Sequence, residues 1–399
     1  MTSGSPSTGG RKAGRHFLQI PGPSAVPDRI MRAIDMPVID HRGPDFGPLG
    51  KRVLEGMQGI FQTTGPVIIY PASGTGAWEA ALVNSLSPGD AALMVETVHF
   101  ANLWCRLAER LGLQPETLET DWRRGADPDA LENLLRQDTS HRLKAVCVVH
   151  NETSTGATSR IKEIRAAIDA CQHPALLMVD TISGLASADF QFDAWGVDVA
   201  VSGSQKGLML PPGLSFNAVS EKALAAAAKS TMPKSYWNWE EMIAANGSGY
   251  FPYTPATNLL FGLAEAIDML NEETLPAVFA RHQRHAAATR RALAVWGLES
   301  QCQVESEHSP VLTAVQLPEG HDADALRATI LQHFDLSLGN GLSRLQGRVF
   351  RIGHLGDFND LMLMATLSGI EMGLGLAQVP HQRGGVDAAL DYLRDTVST

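Results

Sequence analysis

The chain has 399 residues, of which 44% are apolar and 19% are charged, a composition typical of a soluble globular protein with two or three folding units. Its formal net charge of −11 argues against nucleic acid as a partner, because the phosphate backbone attracts basic surfaces. No apolar run approaches the roughly 18 residues that a membrane span requires, and residues 1–14 lack the apolar segment of a secretory signal. We therefore expect a cytoplasmic protein with neither a nucleic-acid nor a membrane partner.

Short apolar runs alternate with amphipathic segments over the first half of the chain. The apolar runs predict strands at residues 67–70, 91–95, 145–150, 176–179, 197–201 and 215–219. The amphipathic segments predict helices at residues 29–33, 47–62, 77–85, 101–111, 131–137 and 161–171. Wholly apolar strands that alternate with helices favour an α/β fold with a parallel sheet covered on both faces. Ligands of such sheets bind where the strands end, at their carboxyl edge.

The second half of the chain has a different pattern. Long helices are predicted between residues 258 and 297 and are followed by β-prone pieces at 312–317 and 349–352. Further helices are predicted at residues 323–334, 360–372 and 386–394. We expect a large domain over residues 17–275 and a smaller α+β domain over residues 276–399. The Gly, Ser and Thr content of residues 1–16 predicts a flexible arm in front of them.

The cysteines are few and widely separated. They show neither a C-x-x-C pair nor the spacing of metal ligands, and they are Cys105, Cys147, Cys171 and Cys302. The sequence therefore predicts free buried thiols in a reducing compartment and no metal site.

A single lysine, Lys206, lies in the apolar stretch VDVAVSGSQKGLMLPPG at residues 197–213. Burying an ammonium group costs several kcal/mol unless its pKa falls or it reacts. A lysine with a lowered pKa readily forms a Schiff base with an aldehyde. The window alone is equally compatible with a lysine that extends out of a loop into solvent.

Two further groups follow predicted strands. Ser73–Gly76 lies between a strand and a helix, where it forms either a tight turn or a seat for a phosphate. Asp180 ends the strand LLMVD, where a carboxylate is either a helix cap or a site residue. Together with Lys206 they suit pyridoxal phosphate: the lysine for the aldehyde, the aspartate for the ring nitrogen and the loop for the phosphate.

Eight segments between Phe17 and Gly375 carry a family resemblance. They are PGPSAVPDRIMRAI, DHRGPDF, YPASGTGAWEAALVNSLSPGD, HNETSTGATS, LMVD, SGSQKGLMLPPG, GYFPYTP and FRIGHLGD. The sequence resembles the class V aminotransferases and, more narrowly, their serine–glyoxylate and alanine–glyoxylate group. The resemblance implies the fold-type I architecture, with a mostly parallel seven-stranded sheet in the large domain. It also implies pyridoxal 5′-phosphate as cofactor and a homodimer, or a dimer of dimers, with active sites at the subunit interface.

Matching positions carry over the family's site residues. The resemblance makes Lys206 the Schiff-base lysine, Asp180 the partner of the pyridine nitrogen and Arg351 the clamp on the substrate carboxylate. It implies cofactor contacts for Ser73, Gly74, Thr75, Gly76, Phe100, Thr153, Gln205, Tyr253 and Thr254, with Thr153 also near the substrate and the Tyr253–Thr254 segment reaching the phosphate of the other subunit. Phe100 stands where the family often has tryptophan. Ser24 and Ala25 replace a Thr-Asn pair, and TISGLAS follows Asp180 where VSSIG is common, so the amino donor is not specified.

The expected reaction moves an amino group from a small L-amino acid to glyoxylate, giving glycine and a 2-oxo acid. Serine is the favoured donor, with alanine or aspartate, or pyruvate as acceptor, as alternatives. The competing functions are a desulfurase or lyase on the same fold, a nucleotide-binding dehydrogenase and a non-catalytic binding protein. A desulfurase needs a mobile C-terminal cysteine, which only Cys302 approaches, and a dehydrogenase needs a glycine fingerprint that SGTG lacks.

Several other polar and aromatic residues have a plain structural interpretation. His150 and His354 are expected to be hydrogen-bonded structural histidines. Arg42 is expected to stabilise a turn, with the mouth of the site as the alternative. Arg344 is expected to be a solvated arginine, although it could bind a second substrate carboxylate and so favour aspartate. We expect the run 282–285 on the polar face of a helix, and Trp78 and Trp104 in the core.

Overall fold

The structure, a computed structural model, describes residues 13–96 and 99–397, so most of the arm expected over residues 1–16 lies outside the described residues. The strands are β1 Phe17–Gln19, β2 Val67–Tyr70, β3 Ala91–Glu96, β4 Gln114–Glu119, β5 Leu143–Val149, β6 Asn151–Glu152, β7 Ala157–Thr158, β8 Leu176–Asp180, β9 Val199–Gly203, β10 Ser215–Val219, β11 Glu299–Ser300, β12 Leu312–Gln316, β13 Leu336–Asn340 and β14 Val349–Gly353. The helices are α1 Asp28–Ile34, α2 Phe46–Phe61, α3 Gly74–Ser85, α4 His99–Arg110, α5 Pro128–Gln137, α6 Ile161–Ala170, α7 Glu221–Ala227, α8 Trp239–Asn246, α9 Thr257–Glu273, α10 Leu275–Trp296, α11 Ala323–Phe334, α12 Asp360–Leu376 and α13 Gly385–Asp395.

The larger sheet carries the candidate site. Within residues 13–96 and 99–397 it has seven strands in the order β2-β10-β9-β8-β5-β3-β4. The strands β9, β8, β5, β3 and β4 are parallel to one another, and β10 is antiparallel to both of its neighbours, β2 and β9. The expected α/β fold with a mostly parallel sheet is confirmed. Since β2 runs the same way as β9, the carboxyl ends of β2, β3, β5, β8 and β9 all lie at one edge.

Helices cover both faces of this sheet, as wholly apolar strands require. On one face, α2 buries the stripe Leu49, Val53, Met57 and Ile60, whose helical spacing predicted it. On the other face lie α3 and α4, with Trp78 and Trp104 stacked at a ring-centroid distance of 5.8 Å. The strand β4 was not expected, because its sequence QPETLE is polar and the strand lies half-exposed at the sheet edge.

A second sheet belongs to the C-terminal part of the chain. Among the described residues its order is β1-β13-β14-β12-β11, and α10 to α13 supply its apolar cover. The N-terminal β1 pairs in parallel with β13, so the chain begins in this sheet before it enters the larger one. The expected division between residues 275 and 276 stays a prediction; it falls just after the first residue of α10.

Two structural findings concern the expected absence of a membrane span and the state of the cysteines. No helix among the described residues has the length and apolarity needed to cross a bilayer. The four cysteines form no disulfides among the described residues, and Cys147 and Cys302 are buried. Cys105 and Cys171 are only half-buried, so the expectation of four buried thiols is wrong for these two.

Candidate active site

The loops at the carboxyl edge of the larger sheet enclose a cavity of about 150 Å³. They follow β2, β5, β8 and β9, as the strand pattern predicts, and the first turn of α4 contributes Phe100. The cavity is lined by Ser73, Gly74, Thr75, Trp78, Phe100, Val149, Asn151, Thr153, Asp180, Ile182, Ser183, Gln205 and Lys206. Eight of the site residues predicted from the sequence therefore line this one cavity.

Lys206 lies just beyond β9 and is only 8% exposed. Its Nζ donates a hydrogen bond to the carbonyl of Pro21 in the N-terminal segment. A Cβ at Gly22 would lie 2.5 Å from Nζ, and φ there is +96°, so only glycine lets this segment approach the amine. Burial, reinforced by the positive charge of Arg351, lowers the pKa of Lys206 to about 8.

Asp180 ends β8 with its carboxylate buried beside the cavity. Its Oδ1 accepts a hydrogen bond from the Ile182 N–H at 2.7 Å, and its Oδ2 accepts one from Trp78 Nε1 at 2.9 Å. Burial raises the pKa of Asp180 to about 7, although both hydrogen bonds oppose that rise. Trp78 is buried as expected, but it also orients this carboxylate, a role that its position on a helix did not indicate.

The loop after β2 turns directly into α3. Ser73 is the N-cap residue, yet its side chain makes no capping hydrogen bond, so the first N–H groups of the helix remain available. Gly74 is needed because a Cβ there would lie 2.3 Å from Ile182 Cδ1. Gln205 adds a buried Oε1 with no hydrogen-bond partner within the described part of the chain. Gly76, in contrast, does not line the cavity; its N–H donates to the Ser73 carbonyl at 2.9 Å.

Arg351 reaches the same region from β14 of the second sheet. Its Nη1 donates to the carbonyl of Thr153 at 2.8 Å, and its Nε donates to the carbonyl of Asn340 at 2.7 Å. The side chain is nearly buried, and burial lowers its pKa to about 10 while the Glu152 carboxylate opposes that shift. Two backbone carbonyls thus fix the guanidinium next to a cavity-lining residue, with further N–H groups free to bind an anion.

Glu152 is a buried carboxylate that the sequence reasoning did not single out. Its Oε1 accepts hydrogen bonds from the Ser154 N–H at 2.8 Å and the Ser154 hydroxyl at 2.6 Å. Burial raises its pKa, and the charge of Arg351 acts against that rise. An acidic residue followed by small polar residues after an apolar strand was a usable signal, because parallel strands end at the ligand edge.

Phe100 lines the cavity, but Tyr253 and Thr254 do not reach it in this chain. The Tyr253 hydroxyl donates instead to the carbonyl of Ser235 at 3.0 Å, with Glu241 Oε2 at 3.2 Å. The expected contact of these two residues with another subunit therefore stays a prediction.

Most of the remaining histidines and arginines have structural surroundings. His354 is buried and hydrogen-bonded to Thr313 and the Pro310 carbonyl, as expected. His150 is buried with its pKa lowered to about 4 by burial, but its Nδ1 has no partner among the described residues, so the expected hydrogen bond there is wrong. Arg42 is exposed, as a turn residue would be.

Two other expectations need correction. The residues 282–285 do not form a polar surface, since His282 and His285 are fully buried and the latter contacts Asp360 at 2.9 Å. Arg344 is exposed as expected, but its guanidinium lies over the Trp122 ring at 4.8 Å instead of being surrounded by water.

Comparison with known sequences supports the same interpretation of the site. The sequence profile of the family described as Aminotransferase class-V matches residues 51–341. The serine–glyoxylate aminotransferase of Methylorubrum extorquens is 46% identical, over 96% of this chain and 98% of the relative. The L-aspartate–glyoxylate aminotransferase of Paracoccus denitrificans is 41% identical, over 95% and 96%.

A solved structure agrees with the sequence relatives. The alanine–glyoxylate aminotransferase from Nostoc sp. has a TM-score of 0.85 at 28% identity, over 94% of this chain and 98% of that one. The architecture is thus that of the fold-type I enzymes that use pyridoxal phosphate. Since the profile covers most of the chain and relatives above 40% identity cover nearly all of it, the chain belongs to the class-V aminotransferase family.

Proposed function

We propose that this protein is a pyridoxal-phosphate-dependent aminotransferase that uses glyoxylate as amino acceptor. The observation that carries the proposal is the meeting of Lys206 and Asp180 in one buried cavity beside the uncapped start of α3. An amine with a lowered pKa, a buried carboxylate and an anion seat are the three groups that this cofactor needs. Its family and fold use the same cofactor.

The residues of the cavity fit pyridoxal phosphate. The free N–H groups at the start of α3, the Ser73 and Thr75 hydroxyls and the amide of Gln205 suit the phosphate. Asp180 is a buried carboxylate held by two donors, which suits a protonated ring nitrogen. Phe100 supplies an aromatic ring to the same cavity, where it can cover a flat ligand.

When bound, the cofactor supplies an aldehyde that takes up the amino group and a ring that withdraws electrons from the substrate carbon. Lys206 provides the amine that holds the aldehyde and, once released, the base that moves the proton from the substrate Cα. A pKa near 8 keeps part of this amine neutral at physiological pH, as a general base requires. Asp180 favours the protonated ring nitrogen, and each pKa unit of that preference is about 1.4 kcal/mol.

Arg351 binds the α-carboxylate of the donor and the carboxylate of the acceptor in turn. Its guanidinium is fixed by the carbonyls of Thr153 and Asn340, so its remaining N–H groups meet a carboxylate without first losing conformational freedom. The relatives named for glyoxylate support glyoxylate as the acceptor. Serine is the favoured donor, and aspartate is the runner-up because one close relative is named for it.

We also propose a homodimer in which Tyr253 and Thr254 of each subunit complete the phosphate site of the other. Ser73 and Thr75 are exposed in a single chain, although Asp180 and Lys206 of the same site are buried, which supports a neighbouring surface over them. Free thiols support a reducing, cytoplasmic setting.

A donor–acceptor screen tests the proposal. Protein saturated with pyridoxal phosphate is mixed with L-serine, L-alanine or L-aspartate alone, and the visible absorbance of the bound aldehyde is followed. Loss of that absorbance, and its return on addition of glyoxylate with release of glycine, is the expected result. A protein that binds the cofactor but converts none of the donors is a binding protein and not this enzyme. Sulfide release from cysteine would indicate a desulfurase, which the burial of Cys302 disfavours.

A further inference from the structure

A hydrogen bond beside the cavity joins the two sheet-bearing parts of the chain. His99 is the first residue of α4, after β3 of the larger sheet, and Ser343 begins a 3₁₀ turn between β13 and β14. His99 Nδ1 and Ser343 Oγ are 2.8 Å apart although 244 residues separate them in the chain. The His99 ring also meets the ring of Phe100 edge-on, with centroids 5.1 Å apart. Phe100 lines the cavity, so His99, which is not itself a lining residue, directly precedes a residue of the cavity wall in the chain.

The turn that carries Ser343 is held in a specific shape. Ser343 has φ of +50°, a left-handed conformation that is uncommon for residues other than glycine. Just before it, a Cβ at Gly341 would lie 2.0 Å from the Leu345 carbonyl oxygen, so the turn closes tightly on itself. Backbone conformations of this kind are concentrated at functional sites, where the surrounding structure maintains them.

The same turn is connected to the carboxylate clamp. Arg351 pairs with Gly339 across β13 and β14, and its Nε donates to the carbonyl of Asn340, three residues before Ser343. Burial lowers the pKa of the His99 imidazole, and the nearby charges of Arg351 and Arg106 lower it further. His99 is therefore neutral at pH 7, with one ring nitrogen as donor and the other as acceptor.

One ring nitrogen of the neutral imidazole is available to bind another group. The contact with Ser343 occupies Nδ1, while Nε2 has no hydrogen-bond partner within residues 13–96 and 99–397. A neutral ring nitrogen of either tautomer can bind a hydroxyl, which both donates and accepts. A carboxylate would instead favour a cation, and the nearby Arg344 is engaged over the ring of Trp122.

We propose that His99, positioned by Ser343, binds the side-chain hydroxyl of the amino donor and so selects serine over alanine and aspartate. This inference rests on the proposed function and specifies the donor subsite of the same active site. Serine and alanine differ by that hydroxyl alone, so a group that binds it discriminates between them through one hydrogen bond.

The test compares the half-reactions of serine, alanine and aspartate in two single variants and their combination. His99→Phe keeps an aromatic contact with Phe100 and removes the hydrogen-bonding nitrogen. Ser343→Gly removes the hydroxyl and suits the left-handed backbone. We expect kcat/KM for serine to fall about fivefold to tenfold in His99→Phe, the size of one neutral hydrogen bond. The value for alanine should stay within about twofold, and the double variant should lose less than the product of the single losses.

Three results would overturn the inference. Equal losses for serine and alanine would make His99 a structural residue, and a larger loss for aspartate than for serine would make the subsite one for carboxylates. In both cases the proposed function stands, because the wild-type protein still converts its donors. If the wild-type protein converts none of the three donors, the proposed function fails and this inference fails with it. His99→Asn, which retains an amide able to bind a hydroxyl, should recover part of the serine activity.

Discussion

Replacing Arg351 with lysine tests the substrate clamp while keeping the positive charge. In the structure the guanidinium donates to two carbonyls, those of Thr153 and Asn340, and retains N–H groups for a carboxylate. Lysine has a single nitrogen with three donors and cannot meet both carbonyls and a carboxylate in fork geometry.

The loss is expected to equal about one charge-assisted hydrogen bond, or roughly 1.5–3 kcal/mol. Since 1.36 kcal/mol corresponds to a tenfold change, KM should rise roughly 10-fold to 150-fold. The rise should be similar for the amino donor and for glyoxylate, because both present their carboxylate to the same group. Steady-state kinetics with each substrate varied in turn measure both values.

Arg284→Lys is a matched control. Arg284 is half-buried and, like Arg351, donates to fixed acceptors, here Asp360 and the carbonyl of Leu393, but it does not line the cavity. The Arg284→Lys substitution should lower the unfolding temperature without changing the KM of either substrate. Unchanged KM values for both substrates in Arg351→Lys, or a rise for only one of them, would refute the role of Arg351 as the shared clamp.

Three further predictions concern the cofactor side of the cavity. Trp78→Phe removes the hydrogen bond to Asp180 Oδ2 and should weaken pyridoxal phosphate binding about tenfold in a fluorescence titration, whereas unchanged affinity would show that the indole only packs. Because the pKa of Lys206 is lowered to about 8, the rate at which cofactor-free protein takes up pyridoxal phosphate should rise with pH and level off above about 8; a rate still rising near pH 10 would contradict the lowered pKa. The pKa of Asp180 is raised from 3.8 to about 7, so the folded cofactor-free protein binds more protons than the unfolded chain between these values, and its stability should fall as pH rises through that range. Since buried histidines with lowered pKa values act in the opposite direction, urea unfolding of the wild type is compared with that of Asp180→Asn at pH 5 and pH 7.5. The stability of the wild type relative to the variant should fall between these pH values, and an unchanged difference would argue against the raised pKa.

The sequence was most informative where burial left few alternatives. The apolar run of β2 predicted a strand with the observed bounds, because a strand covered on both faces is apolar throughout. The ends of such strands then indicated where Lys206 and Asp180 would meet, since ligands bind at the carboxyl edge of a parallel sheet.

Other features depend on contacts between distant parts of the chain. Trp78 and Asp180 are 102 residues apart, and nothing in the helix around Trp78 indicates that its N–H faces a carboxylate. The pairing of β1 with β13 in the second sheet likewise depends on a contact across most of the chain, which local patterns do not report. An edge strand such as β4 was not predicted, because its residues face solvent and can be polar, so no apolar run marks the strand in the sequence.

The central claim is that the Lys206 amine bonds the aldehyde of pyridoxal phosphate, and trapping that bond tests it most directly. Borohydride reduction of the loaded protein, followed by peptide mapping, should place the label on the peptide that contains Lys206. The label should be absent from Lys206→Ala and retained in Lys222→Ala, whose lysine lies outside the cavity beside Asp198. A label on a different lysine, or none on a protein that binds the cofactor, would contradict the claim.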